Sequence, residues 1–261
     1  DHELHLGVKG RFFRGWTRVA GRRADALVAP SEATRAEVVR HTGTPPEAIA
    51  VVPHGVDHDR FRPPSPAAVH DVRGWLGLRP REAYVAFLGT LEPRKNVPAL
   101  IQAFVTACGA LSEPPVLVLA GGRGWDEGID PALAAVPEGL TVIRPGFVPD
   151  LLVPALLGSA EVVAYPALGE GFGLPVLEAM ACGAPVLTTR RLSLPEVGGD
   201  AVAYAVTPDA SDIADALARL LADPAERARL GAAGLKRASG FTWEATARGH
   251  FAVYERVCAR A

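Results

Sequence analysis

From residue 83 onward, short apolar runs alternate with longer helical stretches, and this rhythm constrains the fold more than any other feature of the 261-residue chain. The runs YVAFL (84–88), VLVLA (116–120) and VVAY (162–165) contain almost no polar residue. Strands of that kind are buried on both faces, as parallel strands are. Further strands are predicted at 141–143, 186–189 and 201–206. Helices are predicted at 97–111, 150–157, 211–221 and 224–239, with Asp209 or Ser211 capping the third. Thr242 caps a last one, reaching about residue 257. Strand–helix alternation of this period makes βαβ units and hence an α/β fold with a doubly wound parallel sheet.

Such sheets bind ligands beyond the carboxyl ends of their strands. Two loops lie there. The first follows strand 162–165 and contains Gly169, Gly171 and Gly173. Pro175 opens the next helix, and Gly183 closes it. Glycines let backbone come close to a ligand. The amides of Gly171, Phe172, Gly173 and Leu174 would form an anion site aided by the helix dipole. Glu170 and Glu178 bracket it. Carboxylates do not bind anions; they suit the hydroxyls of sugars and riboses. The bland alternative is a Gly-rich turn with two solvated glutamates. The second loop, Gly89 to Asn96, places Arg94 beside Lys95. Arg forks onto phosphate oxygens and Lys acts as a point charge, although two surface cations before a helix would also look like this. If both loops open on one crevice, amides, cations and carboxylates together suit a nucleoside diphosphate bearing a sugar. No Walker A motif is present, no Gly-x-Gly-x-x-Gly follows strand 84–88, and no His/Asp/Glu cluster has metal-ligand spacing. We expect no metal and no cofactor. Cations and amides would then offset the charge of a leaving diphosphate.

The totals exclude other classes. A net charge of −2 gives no electrostatic case for nucleic acid. Cys108, Cys182 and Cys258 are too far apart for a disulfide framework or zinc site and fit a reducing, cytoplasmic compartment. No apolar run is long enough to span a bilayer. Residue 1 is Asp and the single methionine is Met180, so further chain upstream is expected.

Before residue 83 the pattern is looser. Residues 11–23 (RFFRGWTRVAGRR) read as a basic amphipathic helix. Arg11, Arg14, Arg18 and Arg22 share one face; Phe12, Trp16 and Val19 share another. A solvated face packed by its apolar side is the favoured reading, and peripheral contact with an anionic membrane is the other. A strand is predicted at 26–29, then a helix capped by Ser31 or Thr34. Residues 50–53 are extended, 54–57 turn, and 61–66 hold three prolines and read as a linker.

These motifs resemble a known family. Glu170 to Glu178 (EGFGLPVLE) is similar to the Glu-x7-Glu signature of the retaining glycosyltransferases of family four, which have the GT-B fold. Gly89 to Asn96 resembles their phosphate loop. Residues 51–57 (VVPHGVD) resemble the entry to their C-terminal domain, with His54 where Asn is commoner. Residues 24–31, 193–199 and Gly121-Gly122 also fit. The resemblance implies two Rossmann-like domains facing across a cleft. It divides this chain into 1–52, a remnant of the acceptor domain with the connection; 53–240, the donor domain; and 241–261, a helix returning to the first. It implies a metal-independent hexosyltransferase that retains configuration. Arg94 and Lys95 would hold the diphosphate and Glu170 the donor sugar, with the Gly171, Phe172, Gly173 and Leu174 amides nearby and Gly89 in the phosphate loop. Glu178 would take the ribose and the loop with Phe147 and Val148 the base. The wording LGTLEPRKN and SLPEV is most similar to mannosyltransferases using GDP-mannose, with another nucleotide sugar such as a UDP-sugar as the alternative. The acceptor, a glycan, lipid or small molecule, is not indicated. Most of the family's N-terminal domain has no counterpart here, so this chain is expected to bind nucleotide and to transfer sugar poorly; the competing reading is a nucleotide-sugar-binding module completed by a partner chain. On this division, replacing Glu170 affects the sugar alone and replacing Glu178 weakens the nucleotide.

Overall fold

The computed structural model describes residues 15–17, 19–21 and 23–259. Arg11, Phe12, Arg14, Arg18 and Arg22 of the expected basic helix lie outside them. The described part of 15–23 is helical, and Trp16 and Val19 on it are exposed.

A small parallel pair comes first, β1 (Leu27–Ala29) with β2 (Ile49–Val51), joined by helix α1 (Glu32–Thr42). Ser31 caps α1 by accepting from the Thr34 amide at 3.0 Å, and Gly43 ends it in the left-handed region. Helix α2 (Pro66–Leu76) follows. Its cap, Ser65, lies inside the stretch read as a linker, and Phe61 there is buried. Three prolines stiffen this segment but do not detach it. The helix itself went unread although Ser-Pro opens it and Gly77 closes it.

Next come β3 (Tyr84–Leu88), α3 (Val97–Cys108), β4 (Val116–Ala120), α4 (Ile129–Ala134), β5 (Val142–Gly146) and α5 (Val153–Gly158). After them come β6 (Val162–Tyr165), α6 (Leu174–Ala181), β7 (Val186–Thr189), α7 (Leu194–Gly198) and β8 (Ala203–Ala205). The last helices are α8 (Ala210–Ala222), α9 (Pro224–Ala238) and α10 (Trp243–Cys258). Six strands form one parallel sheet in the order β5-β4-β3-β6-β7-β8. The chain runs outward from β3 through β4 and β5, then crosses back to β6 on the other side. Right-handed crossovers in opposite directions put helices on opposite faces. Accordingly α3 packs with α8, while α6 packs with α5 and α9. Val85, Ala86, Phe87, Leu117, Val118, Val162 and Ala164 are fully buried between the layers, which accounts for their unbroken apolar runs.

The reversal falls between β3 and β6, where Val85 pairs with Val162 and Ala86 with Val163. The carboxyl ends of these two strands therefore carry the two glycine-bearing loops side by side. Loop β4–α4 presses on the first of them. Gly121 has φ 128°, and a Cβ there would lie 2.1 Å from the Gly89 carbonyl oxygen. Backbone cannot yield as a flexible side chain can. Gly121→Ala is expected to cost about 3 kcal/mol of stability, a sum of left-handed strain and overpacking. Urea denaturation measures this; a change below about 0.5 kcal/mol would show that the loops part freely.

Candidate nucleotide-sugar site

The first loop folds as a 3-10 turn, Pro93–Lys95, ended by Asn96 with φ 58°. Asn tolerates that conformation better than most residues. Its side chain donates to the Pro208 carbonyl at 2.8 Å and to that of Pro166 at 3.3 Å. Leu168 N donates to the Arg94 carbonyl at 2.8 Å, so the two loops are stitched by backbone as well.

Between them lies one cluster of charges. The Glu170 carboxylate accepts from the Lys95 ammonium, from Tyr165 Oη at 2.7 Å and from Arg94 Nη1 at 2.7 Å. Lys95 also donates to Tyr165 Oη. Arg94 reaches the Gly169 carbonyl at 2.8 Å and Glu92 Oε1 at 2.5 Å, and Lys95 lies 4.0 Å from the same Glu92 oxygen. Lys95 is only 6% exposed. Burial would raise the Glu170 carboxyl, but Lys95, Tyr165 and Arg94 outweigh it and hold the group below its ordinary range. Burial draws Lys95 below its usual value against the pull of Glu170. Burial, followed by the Glu170 charge, pushes Tyr165 well up, so its hydroxyl stays a donor. Its ring stacks on Phe87 at 5.8 Å, which fixes where that hydroxyl points.

Sequence reasoning treated Arg94 and Lys95 as the positive side of the site and Glu170 as a separate acceptor. The structure brings them into contact, two cations against Glu92 and Glu170. A ligand meets cations that are already paired. Tyr165 and Glu92 were missed. One signal was available: Tyr165 is the only polar atom-bearing side chain of an otherwise apolar strand, at its carboxyl end.

The second loop matches its expected geometry. Gly173 takes φ 105° and α6 begins at Leu174, with Pro175 in its first turn. The amides of Gly171, Phe172 and Gly173 reach no acceptor among the described residues, and that of Leu174 is an open first-turn donor. Glu178, one turn into α6, stands apart from the Glu170 cluster. No hydrogen bond or ion pair from the described residues reaches its carboxyl. Burial pushes it up to about 7, with Arg60 working the other way. Gly89 spends its amide on the Ala120 carbonyl at 3.0 Å, so what it leaves a ligand is space. Phe147 and Val148 follow β5, two strands from the switch point; Phe147 is exposed and Val148 buried. Among the described residues no three His, Cys, Asp or Glu side chains gather as a metal site.

The switch point of this parallel sheet gathers open amides, paired cations and carboxylates, at the place where open α/β sheets hold their ligands. The chain belongs to the glycosyl transferases group 1 family, whose model matches residues 72–237. The model of Glycosyltransferase Family 4 matches residues 1–60. The O-antigen chain mannosyltransferase B of Escherichia coli is 35% identical over 224 residues, covering 85% of this chain and 58% of the relative. The D-inositol 3-phosphate glycosyltransferase of Segniliparus rotundus is 35% identical over 238 residues, 88% of this chain and 52% of its own. The chain thus spans somewhat more than half the length of these relatives. Among solved structures, sucrose-phosphate synthase from Thermosynechococcus elongatus superposes with a TM-score of 0.79 at 25% identity, over 96% of this chain and 63% of that one. Anabaena HepE in complex with UDP-glucose gives 0.80 at 21%, over 94% and 69%. The fold is therefore that of GT-B glycosyltransferases.

Proposed function

We propose that this chain carries the donor site of a hexosyltransferase that moves a sugar from a nucleoside diphosphate to an acceptor, with retention and without a metal ion. One observation carries the reading. The topological switch point joins the open amides of Gly171 to Leu174 to the Arg94–Lys95–Glu170 cluster. The diphosphate exchanges with Glu170 for Arg94 and Lys95, and the loop amides take its remaining charge. Released from the cations, Glu170 accepts hydrogen bonds from the sugar hydroxyls. Glu178, which has no partner among the described residues, accepts from the ribose. The Phe147–Val148 loop frames the base. As the sugar–phosphate bond breaks, cations and amides stabilise the charge that develops on the leaving diphosphate. Residues 1–52 then belong to the acceptor side, 53–240 to the donor side, and 241–261 return toward the acceptor side. The mannosyltransferase relative favours GDP-mannose as donor; HepE's complex with UDP-glucose keeps a UDP-sugar as the alternative. No described helix is long and apolar enough to cross a membrane. The exposed Trp16 and Val19 support peripheral contact at a cytoplasmic membrane face.

Calorimetry with UDP, GDP and ADP, then with UDP-glucose and GDP-mannose, each with and without chelator, tests this. One base is expected to bind at micromolar concentration, and its sugar conjugate more tightly. Heats at background for every nucleotide would overturn the donor site; binding lost only in chelator would overturn metal independence.

A further inference from the structure

The donor loop is held from two directions. Glu170 and Gly171 present consecutive carbonyls. Ser193, at the start of α7, donates to the Glu170 carbonyl at 2.7 Å. The Gly171 carbonyl accepts two hydroxyls from the other half of the chain, Ser31 Oγ at 2.7 Å and Thr34 Oγ1 at 2.8 Å. Ser31 is fully engaged, since the oxygen that donates to Gly171 also accepts from the Thr34 amide. Glu196 secures the same helix end. Its two carboxylate oxygens accept from the Glu32 amide at 2.8 Å and the Ala33 amide at 2.7 Å. Arg237 in turn donates to the Glu196 carbonyl at 2.6 Å.

A trans peptide is planar, with its N–H opposed to its C=O. Fixing the Gly171 carbonyl against α1 therefore aims the Phe172 N–H away from α1. Fixing the Glu170 carbonyl on Ser193 aims the Gly171 N–H in the same way. Both amides are among those without an acceptor in the described residues. A preorganised dipole stabilises charge better than one that must reorient. We propose that Ser31 and Thr34, seated by Glu196, are positioning residues of the donor site: the acceptor-side segment aims the Phe172 amide at the donor's anionic group. The inference rests on the function proposed above. It also couples the two halves. A movement that lifts α1 from Gly171 frees that peptide to rotate, and an anion bound at the amides holds α1 down.

The test is calorimetry of the full chain with UDP and GDP, using whichever the parent binds. Thr34→Val keeps the shape of the side chain and the Ser31 cap while removing one hydroxyl. Ser31→Ala/Thr34→Val removes both, and Glu196→Ala removes the seat. The expected result is a graded loss, about threefold for Thr34→Val and tenfold or more for the double variant, with Thr34→Ser restoring parental affinity. The amide proton resonance of Phe172 is expected to shift when the parent binds nucleotide, and to shift less in the double variant. Melting temperature controls for loss of the cap, and Thr34→Val keeps the result readable if the double variant unfolds. Parental affinity in a folded double variant would overturn the positioning role alone. A parent chain that binds neither nucleotide would overturn the donor site first, and this inference with it.

Discussion

Glu178→Gln is expected to be more stable than the parent at pH 8, by roughly 3 kcal/mol, and equal to it at pH 4. The Glu178 carboxyl sits half-buried on α6 without a hydrogen-bond partner among the described residues, and burial raises it from 4.5 to about 7. An acid raised in the folded state favours its neutral form there. Below pH 4.5 both folded and unfolded chains carry it protonated, and it costs nothing. Between 4.5 and 7 the unfolded chain releases the proton while the folded chain keeps it, so stability falls as pH rises. Above 7 both are ionised and the full cost applies, roughly 3 kcal/mol for that displacement. Glutamine is neutral throughout, so the two denaturation curves should separate across this window. A gap of the same size at pH 4 and pH 8 would show that the gain comes from packing.

The same substitution should weaken nucleotide binding by about 1–3 kcal/mol, because a charged acceptor for the ribose is lost. In the parent, nucleotide affinity should rise with pH through 7 as the carboxylate becomes available, and Glu178→Gln should flatten that rise. A half-buried acid kept at a stability cost of this kind is what a binding site requires.

Much of this was legible in the residues. Strands 84–88, 116–120, 162–165 and 186–189 match the structure residue for residue, because strands buried on both faces leave unbroken apolar runs. The caps at Ser31 and Thr242 were readable for the local reason that a hydroxyl beside a helix start has one good acceptor role. Short helices were not. Ile129–Ala134 and Leu194–Gly198 contain too few turns to show a period, and tertiary packing holds them. Nor did helix α5 start where expected: residues 150–152 stay in the loop, and Val153 opens it. In the site, the amides, cations and acids were each visible as types. Their pairing was not, because Lys95 and Glu170 are 75 positions apart and meet only through the strand order. The hold of Ser31 and Thr34 on Gly171 was invisible for the same reason: a carbonyl's partner leaves no mark in the sequence.

That pairing changes what Glu170 should do when replaced. If it only contacted a sugar, its loss would leave bare nucleotide binding alone. In the structure it neutralises Lys95 and Arg94, so a diphosphate must compete with it. Glu170→Gln removes the charge of one of the two carboxylates that Arg94 and Lys95 face. Removing one partner of a buried ion pair costs about 3–5 kcal/mol. Here the loss should sit at the low end, since Arg94 keeps Glu92 at 2.5 Å and Lys95 keeps it at 4.0 Å. The variant should therefore be less stable yet bind bare UDP or GDP about tenfold more tightly, because phosphate oxygens supply the missing charge and displace nothing. The gain should shrink at high salt, where the excess positive charge is screened. Discrimination should move the other way: the advantage of the sugar nucleotide over the bare one falls, because the acceptor for the sugar hydroxyls has lost its charge. Calorimetry with both ligands at two salt concentrations reads all three effects. Weaker binding of the bare nucleotide would mean that Glu170 supports the phosphate site and does not compete for it. An unchanged sugar preference would remove it from the sugar.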